Sequence, residues 1–146
     1  MNILILHGPN LNMLGLREPE VYGHETLDDI NRMLQDIAAR HAVELRIAQS
    51  NHEGELIDEL HRARTWADGV LINPGAFTHY SWALHDALAA FDGPIVEVHI
   101  SNPNAREPWR HTSVVAPVAS GSIVGLGADG YEFAVEAVAR LLARSS

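Results

Sequence analysis

The segment Glu97-Val98-His99-Ile100-Ser101-Asn102 sets a carboxylate and an imidazole two residues apart. Residues two apart on a strand share a face, so Glu97 can orient the His99 ring and stabilise its charged form. A pair of this kind suits proton transfer, and it equally suits a satisfied structural contact; both readings stand at this point. Asn73-Pro74-Gly75 supplies an amide at a sharp turn, with His79 close behind, and His7-Gly8-Pro9-Asn10 supplies a second amide. Arg106 and Arg110 add fixed positive charge. Brought together, these groups could hold a small anion and move protons on it.

The remaining composition narrows the chemistry. Cysteine is absent and all 10 basic residues are Arg, which excludes thiol nucleophiles, Cys-ligated zinc, Schiff-base lysines and a P-loop lysine. The 9 histidines fall in no recognised ligand spacing; His52-Glu53-Gly54-Glu55 comes nearest to H-E-x-x-H and lacks the second His. No metal or cofactor is expected, and His24, His41, His61 and His111 read as surface residues. A net charge of -9 argues against a nucleic-acid or anionic-membrane partner, because phosphate backbones need an extended positive field. A small anion remains possible where a local Arg cluster reverses the field inside one cleft. The apolar run Ile3 to Leu6 is too short to span a membrane and no basic segment precedes it, so a cytoplasmic protein is expected.

These groups need a scaffold, and 146 residues with 47% apolar content match one domain, 1–146. Five apolar segments alternate with four helical patterns, as in an α/β doubly wound parallel sheet. The strands read as Asn2 to Leu6, Val43 to Gln49, Val70 to Ile72, Ile95 to Val98 and Ser122 to Val124. Val43, Leu45 and Ile47 alternate with Glu44 and Arg46, as expected near a sheet edge. The helices read as a run after Thr26 (Leu27, Ile30, Leu34 and Ile37 on one face), Glu55 to Arg64, a segment marked by Leu84, Ala87, Leu88 and Phe91, and Tyr131 to Leu142. Thr26 with Asp29 makes a weak capping box. The expected architecture is a flavodoxin-like three-layer sandwich with strand order 2-1-3-4-5, whose ligands sit beyond the carboxyl ends of strands one and three. By that rule Asn10, Asn73 and His99 converge on one crevice. Two connections, 7–25 and 100–121, are far longer than the ~2 to 6 residues usual in such units, so function is expected there.

Other ligands of this fold class fit poorly. Gly125-Leu-Gly127-Ala-Asp-Gly130 matches G-x-G-x-x-G, but too little chain follows to supply the ribose-binding acid, so a tight turn with Asp129 as a possible cap is expected. A phosphoacceptor receiver needs an acidic pair after strand one and a Lys after strand five. Neither is present, and the Ser/Thr-rich phosphate loop of flavodoxins is replaced by His7-Gly8-Pro9-Asn10.

The run Gly8-Pro-Asn10-Leu-Asn-Met-Leu-Gly15-Leu-Arg17-Glu-Pro-Glu-Val-Tyr22-Gly23 resembles the signature of type II 3-dehydroquinate dehydratases. Gln49-Ser-Asn-His52-Glu-Gly-Glu, Asn73-Pro-Gly-Ala-Phe-Thr-His79, and Glu97-Val-His99-Ile-Ser101-Asn102 with Arg106 and Arg110 are similar to further blocks of that family, in order. The resemblance covers nearly the whole chain. It implies a homododecamer built as a tetramer of trimers. The implied reaction is anti elimination of water from 3-dehydroquinate to 3-dehydroshikimate through an enolate, for aromatic amino acid biosynthesis in the shikimate pathway or for quinate catabolism. Tyr22 would be the base and His99 the acid. Arg17 would share a mobile lid with Tyr22, and Asn10 would support the enolate through a water. Asn73, His79, Ile100, Ser101 and Arg110 would bind substrate, Asp86 would reach it from a neighbouring subunit, and Glu97 and Arg106 would support.

That chemistry suits the residues. Proton removal beside a ketone creates an enolate, and loss of the β-hydroxyl needs a proton donor on the other side of the ring. A phenol titrates near ~10, so a tyrosine base near neutrality needs cations such as Arg17 or Arg106 to stabilise its phenolate. The chain departs from the commonest family pattern at His7, where Asn is frequent, at Tyr80 and Trp82, where Thr and Val are usual, and at Trp109, where Phe is more frequent. These positions bear on packing around the site and on subunit contacts. A non-catalytic binder of a small anionic metabolite, using the same Arg and Asn crevice, is the alternative from a different class.

Overall fold

Ile3, Leu4, Ile5 and Leu6 are fully buried in β1 (Asn2–His7), alternate side chains entering opposite cores. A strand apolar on both faces belongs inside a parallel sheet covered by helices on each side. The computed structural model describes residues 1–145 and places β1 there; Ser146, the end of the expected domain, lies outside the described residues. β1 pairs in parallel with β2 (Glu44–Gln49) and β3 (Gly69–Asn73), and β4 (Ile95–His99) and β5 (Gly121–Val124) follow. The five strands run 2-1-3-4-5, as expected.

The helices divide by the apolar stripe each presents. Ile30, Leu34 and Ile37 of α2 (Leu27–His41) and Tyr131, Val135 and Val138 of α5 (Asp129–Ser145) pack on Ile3, Ile5, Leu71, Val96 and Val98. On the other face Leu56 and Leu60 of α3 (Glu53–Ala63) and Leu84 and Leu88 of α4 (Trp82–Ala89) pack on Leu4, Leu6, Val70, Ile72 and Ile95. The capping box of α2 is complete: Asp29 N–H donates to Thr26 Oγ1 at 3.2 Å, and Thr26 N–H to Asp29 Oδ2 at 3.0 Å. β2 starts one residue later than expected, because Ala42 closes α2 at φ 54 and Val43 N–H turns back to the Ala38 carbonyl. Phe91 lies beyond α4, which ends at Ala89, yet its ring is buried in the same core.

The long connections carry short local elements: 7–25 has a 3-10 turn at Leu11–Met13 and the short α1 (Pro19–Tyr22), and 100–121 has turns at Pro103–Ala105, Pro108–Arg110 and Ala116–Val118. In α1 and each of those last three, a proline sits at one of the first two positions, where its fixed φ favours entry and no donor is lost. Asp129 is the first residue of α5 and no cap outside it, so its carboxylate meets the helix dipole from the first turn. The glycine turn itself is as expected. Gly125 has φ +82, and a Cβ there would meet Asn102 at 3.0 Å.

Candidate active site

β1, β3 and β4 end on polar residues, His7, Asn73 and His99, at the carboxyl edge of the sheet where ligands of this fold class bind. The loops that leave β1 and β3 touch. A Cβ on Gly8 would lie 2.6 Å from the Pro74 backbone, so only glycine permits this approach, and Gly8 N–H donates to the Asn73 carbonyl at 2.7 Å. The next turn sets Asn10 at φ 69, its N–H held by Asn51 Oδ1 at 2.9 Å. Between these loops and the 100–121 segment opens a cleft. Asn10, Arg17, Tyr22, Asn73, His79, His99, Ile100, Ser101, Arg106 and Arg110 all line it, with Leu11 and Leu14 as an apolar wall.

Glu97 lies beneath, 1% exposed, and accepts from His99 Nε2 at 2.6 Å. Thr78 Oγ1 also donates to this carboxylate, and Ser113 Oγ does so at 3.0 Å. Burial pushes the Glu97 pKa up, but the His99 hydrogen bond and charge, with the Thr78 and Ser113 hydroxyls, outweigh it and hold the carboxyl below its ordinary range. Glu97 is therefore an anion that fixes the His99 ring through Nε2 and leaves Nδ1 unengaged by it. Tyr22 is the last residue of α1, half-buried against the first core. Two guanidinium groups lie against its ring: Arg17 Cζ is 4.8 Å and Arg106 Cζ 5.2 Å from the centroid. Among the described residues Arg17 pairs otherwise with the exposed Glu18, at 3.6 Å, while Arg106 Nη1 donates to Ser101 Oγ at 3.1 Å.

The other lining groups have defined partners too. His79 Nδ1 donates to the Thr112 carbonyl at 2.7 Å, a bond that leaves Nε2 unengaged by it. Arg110 pairs with Glu107 and stacks on Trp109, Cζ to centroid 4.0 Å. Asp86 is exposed on α4 and does not line this cleft within its own chain. Tyr80, Trp82 and Trp109 are 60%, 64% and 56% exposed. Among the described residues, no group of three His, Asp or Glu is arranged to hold a metal ion.

Sequence reasoning passed over Thr78, Ser113, Asn51 and Tyr131. Thr78 and Asn51 sit inside quoted blocks without an assigned role; Ser113 carries no spacing signal, and Tyr131 reads as an ordinary core position of α5. His7, noted only as a departure, is wholly buried. Burial lowers its pKa from 6.5 to about 4, against a smaller upward pull from Asn31. The unfolded chain therefore takes up a proton near pH 6.5 that the folded ring refuses until about pH 4. Stability is full above the unfolded value and drains as pH falls toward the folded one, by on the order of 3 kcal/mol. Urea unfolding followed down to about pH 4 should show this loss, and His7→Asn should flatten it. An equally steep decline in His7→Asn would assign the loss to another group.

Comparison with known proteins gives one consistent set of relatives. The family model described as dehydroquinase class II matches residues 1–139. A 3-dehydroquinate dehydratase of Roseiflexus castenholzii is 64% identical over 137 residues, covering 93% of this chain and 87% of that protein. A catabolic 3-dehydroquinase of Penicillium rubens is 54% identical, covering 94% of this chain and 88% of that one. The crystal structure of type II dehydroquinase from Butyrivibrio crossotus superposes with a TM-score of 0.93 at 46% identity, covering 94% and 97% of the two chains.

Proposed function

The chain belongs to the class II dehydroquinase family, and from that premise we propose that it is a hydro-lyase converting 3-dehydroquinate to 3-dehydroshikimate through an enolate. The observation that carries the reading is one cleft holding two proton-transfer groups in different electrostatic settings. Tyr22 has two guanidiniums against its ring, and His99 sits on the buried Glu97 carboxylate. A phenolate at Tyr22 takes the C2 proton; the electron pair moves into the ketone as an enolate, and Asn10 supports that oxygen through a water. Collapse of the enolate expels the C1 hydroxyl, which takes a proton from His99 and leaves as water. Tyr22 then returns its proton to solvent and His99 regains one. Asn73, His79, Ile100, Ser101 and Arg110 bind the hydroxyls and carboxylate, and Arg17 and Tyr22 close over the ring.

Incubation with 3-dehydroquinate should produce the ultraviolet absorbance of a conjugated enone, undiminished by borohydride because no lysine is available for a Schiff base. Binding without enone formation would leave only a binder of small anions, and inactivation by borohydride that depends on substrate would overturn the enolate route.

The proposal extends to a cytoplasmic homododecamer of four trimers in which Asp86 serves a neighbour's cleft. Its support is the family membership, together with the position of Asp86 outside its own cleft. Among the described residues no helix is long and apolar enough to cross a membrane. Light scattering should give a large multiple of the 16.0 kDa chain; a fully active monomer would refute the assembly.

A further inference from the structure

Asn73 is the buried end of a chain of polar groups that the proposed proton transfers do not use. His7 and Asn73 are register partners at the carboxyl ends of β1 and β3. Tyr131, near the start of α5, and Asn31, near the start of α2, reach them from the helical layer on one side of the sheet. Asn73 Nδ2 donates to Tyr131 Oη at 2.9 Å, Tyr131 Oη lies 3.5 Å from His7 Nδ1, and His7 Nε2 lies 2.9 Å from Asn31 Oδ1.

Counting protons fixes the direction of this chain. A carboxamide oxygen only accepts, so His7 Nε2 carries its proton toward Asn31. The ring is wholly buried and stays neutral, which leaves Nδ1 with a lone pair for the Tyr131 hydroxyl. Burial also raises the Tyr131 pKa, so that hydroxyl keeps the proton it donates and accepts from Asn73. At the other end of the amide, Asn73 Oδ1 accepts the Gly75 N–H at 3.1 Å. A carboxamide held at both ends cannot flip. One N–H of Asn73 remains free of these bonds, on a residue that lines the cleft.

We propose that His7 and Tyr131 are positioning residues: they hold the Asn73 carboxamide so that its second N–H is offered to a hydroxyl or carboxylate oxygen of 3-dehydroquinate. The inference rests on the reading of Asn73 as a substrate-binding residue. A flipped amide would set a second acceptor against that oxygen, so the relay makes the cleft selective for a ligand with an acceptor at this point. His7, the departure from the family's more frequent Asn, is thereby tied to substrate recognition through a residue it faces across the sheet.

Tyr131→Phe keeps the ring and removes the hydroxyl. KM for 3-dehydroquinate should rise about tenfold with kcat little changed, because this contact is made alike in ground and transition states. Asn73→Ala should lose at least as much, and in that background Tyr131→Phe should have no further effect on kcat/KM, the non-additivity expected of one unit. At position 7, Leu removes the acceptor while Asn sets Oδ1 where Nδ1 stood, so His7→Leu should repeat the KM defect and His7→Asn should recover part of it. Should Tyr131→Phe not fold, the two His7 variants carry the same comparison. A normal KM in folded Tyr131→Phe or His7→Leu, or an equal loss with and without Asn73, would overturn the positioning role and leave Asn73 as a binding residue. Unchanged kinetics in Asn73→Ala would instead overturn the reading of Asn73 itself, and the proposal with it.

Discussion

Tyr22→Phe should lower turnover of 3-dehydroquinate by ~10²- to 10⁴-fold, the range typical of a lost general base, with folding unchanged. The ring is half-buried against the core built on Ile3 and Ile5, and Phe preserves that packing while deleting the oxygen proposed as the base. Binding should suffer much less, because the hydroxyl and carboxylate contacts are proposed for other residues. Arg17 provides the control. Its guanidinium lies 4.8 Å from the ring centroid, and its charged partner among the described residues is the exposed Glu18 at 3.6 Å. Exposed pairs of that kind contribute little to stability, so Arg17→Gln should fold normally. It should still reproduce much of the turnover defect, since it withdraws a positive charge from against the ring of the proposed phenolate. Arg106 is a poorer control because it is also bound to Ser101. Near-normal turnover by folded Tyr22→Phe would remove Tyr22 from the role of base.

The scaffold was legible where burial leaves a periodic trace. β1 and β3 are apolar without interruption because both faces meet helices, and β2 alternates because it lies at an edge. Given strand order 2-1-3-4-5, the polar residues that end these strands have one crevice in which to meet, which is why Asn10, Asn73 and His99 could be grouped from spacing alone. Tyr22 and Arg17 could not. They reach the cleft through α1, four residues long, whose position depends on the path of the whole 7–25 connection, and only the resemblance to a family pointed to them.

Hydroxyl residues were the least legible part of the site. Ser and Thr are common on loops for many reasons, so nothing in the sequence distinguishes Thr78 and Ser113 from their neighbours. Their importance appears only when both are found donating to a carboxylate that is 1% exposed. Tyr131 was hidden for the opposite reason. It occupies an apolar position on the amphipathic face of α5, and its hydroxyl matters only because His7 and Asn73 end adjacent strands beneath it. Polar groups inside a core announce themselves through their partners, and those partners lie 58 and 124 residues away in the chain.

Removing His99 should separate the two halves of the reaction. His99→Ala takes away the proposed donor for the departing hydroxyl but leaves Tyr22, so overall turnover should fall by ~10²- to 10⁴-fold while C2 proton abstraction continues. The alanine variant carries a structural penalty, because it leaves the buried Glu97 anion with only the Thr78 and Ser113 hydroxyls. Stripping one partner from a buried pair costs roughly 3 to 5 kcal/mol. His99→Asn keeps a side-chain donor near Glu97 without an acid of comparable strength, and it should fold better with the same catalytic defect. Exchange of the C2 proton with deuterated solvent, followed by NMR of 3-dehydroquinate, reads the first step alone. His99→Asn should exchange and accumulate little enone; Tyr22→Phe should do neither. The opposite pattern, exchange in Tyr22→Phe and none in His99→Asn, would reverse the assignment of base and acid, and exchange lost in both would mean that His99 also takes part in forming the enolate.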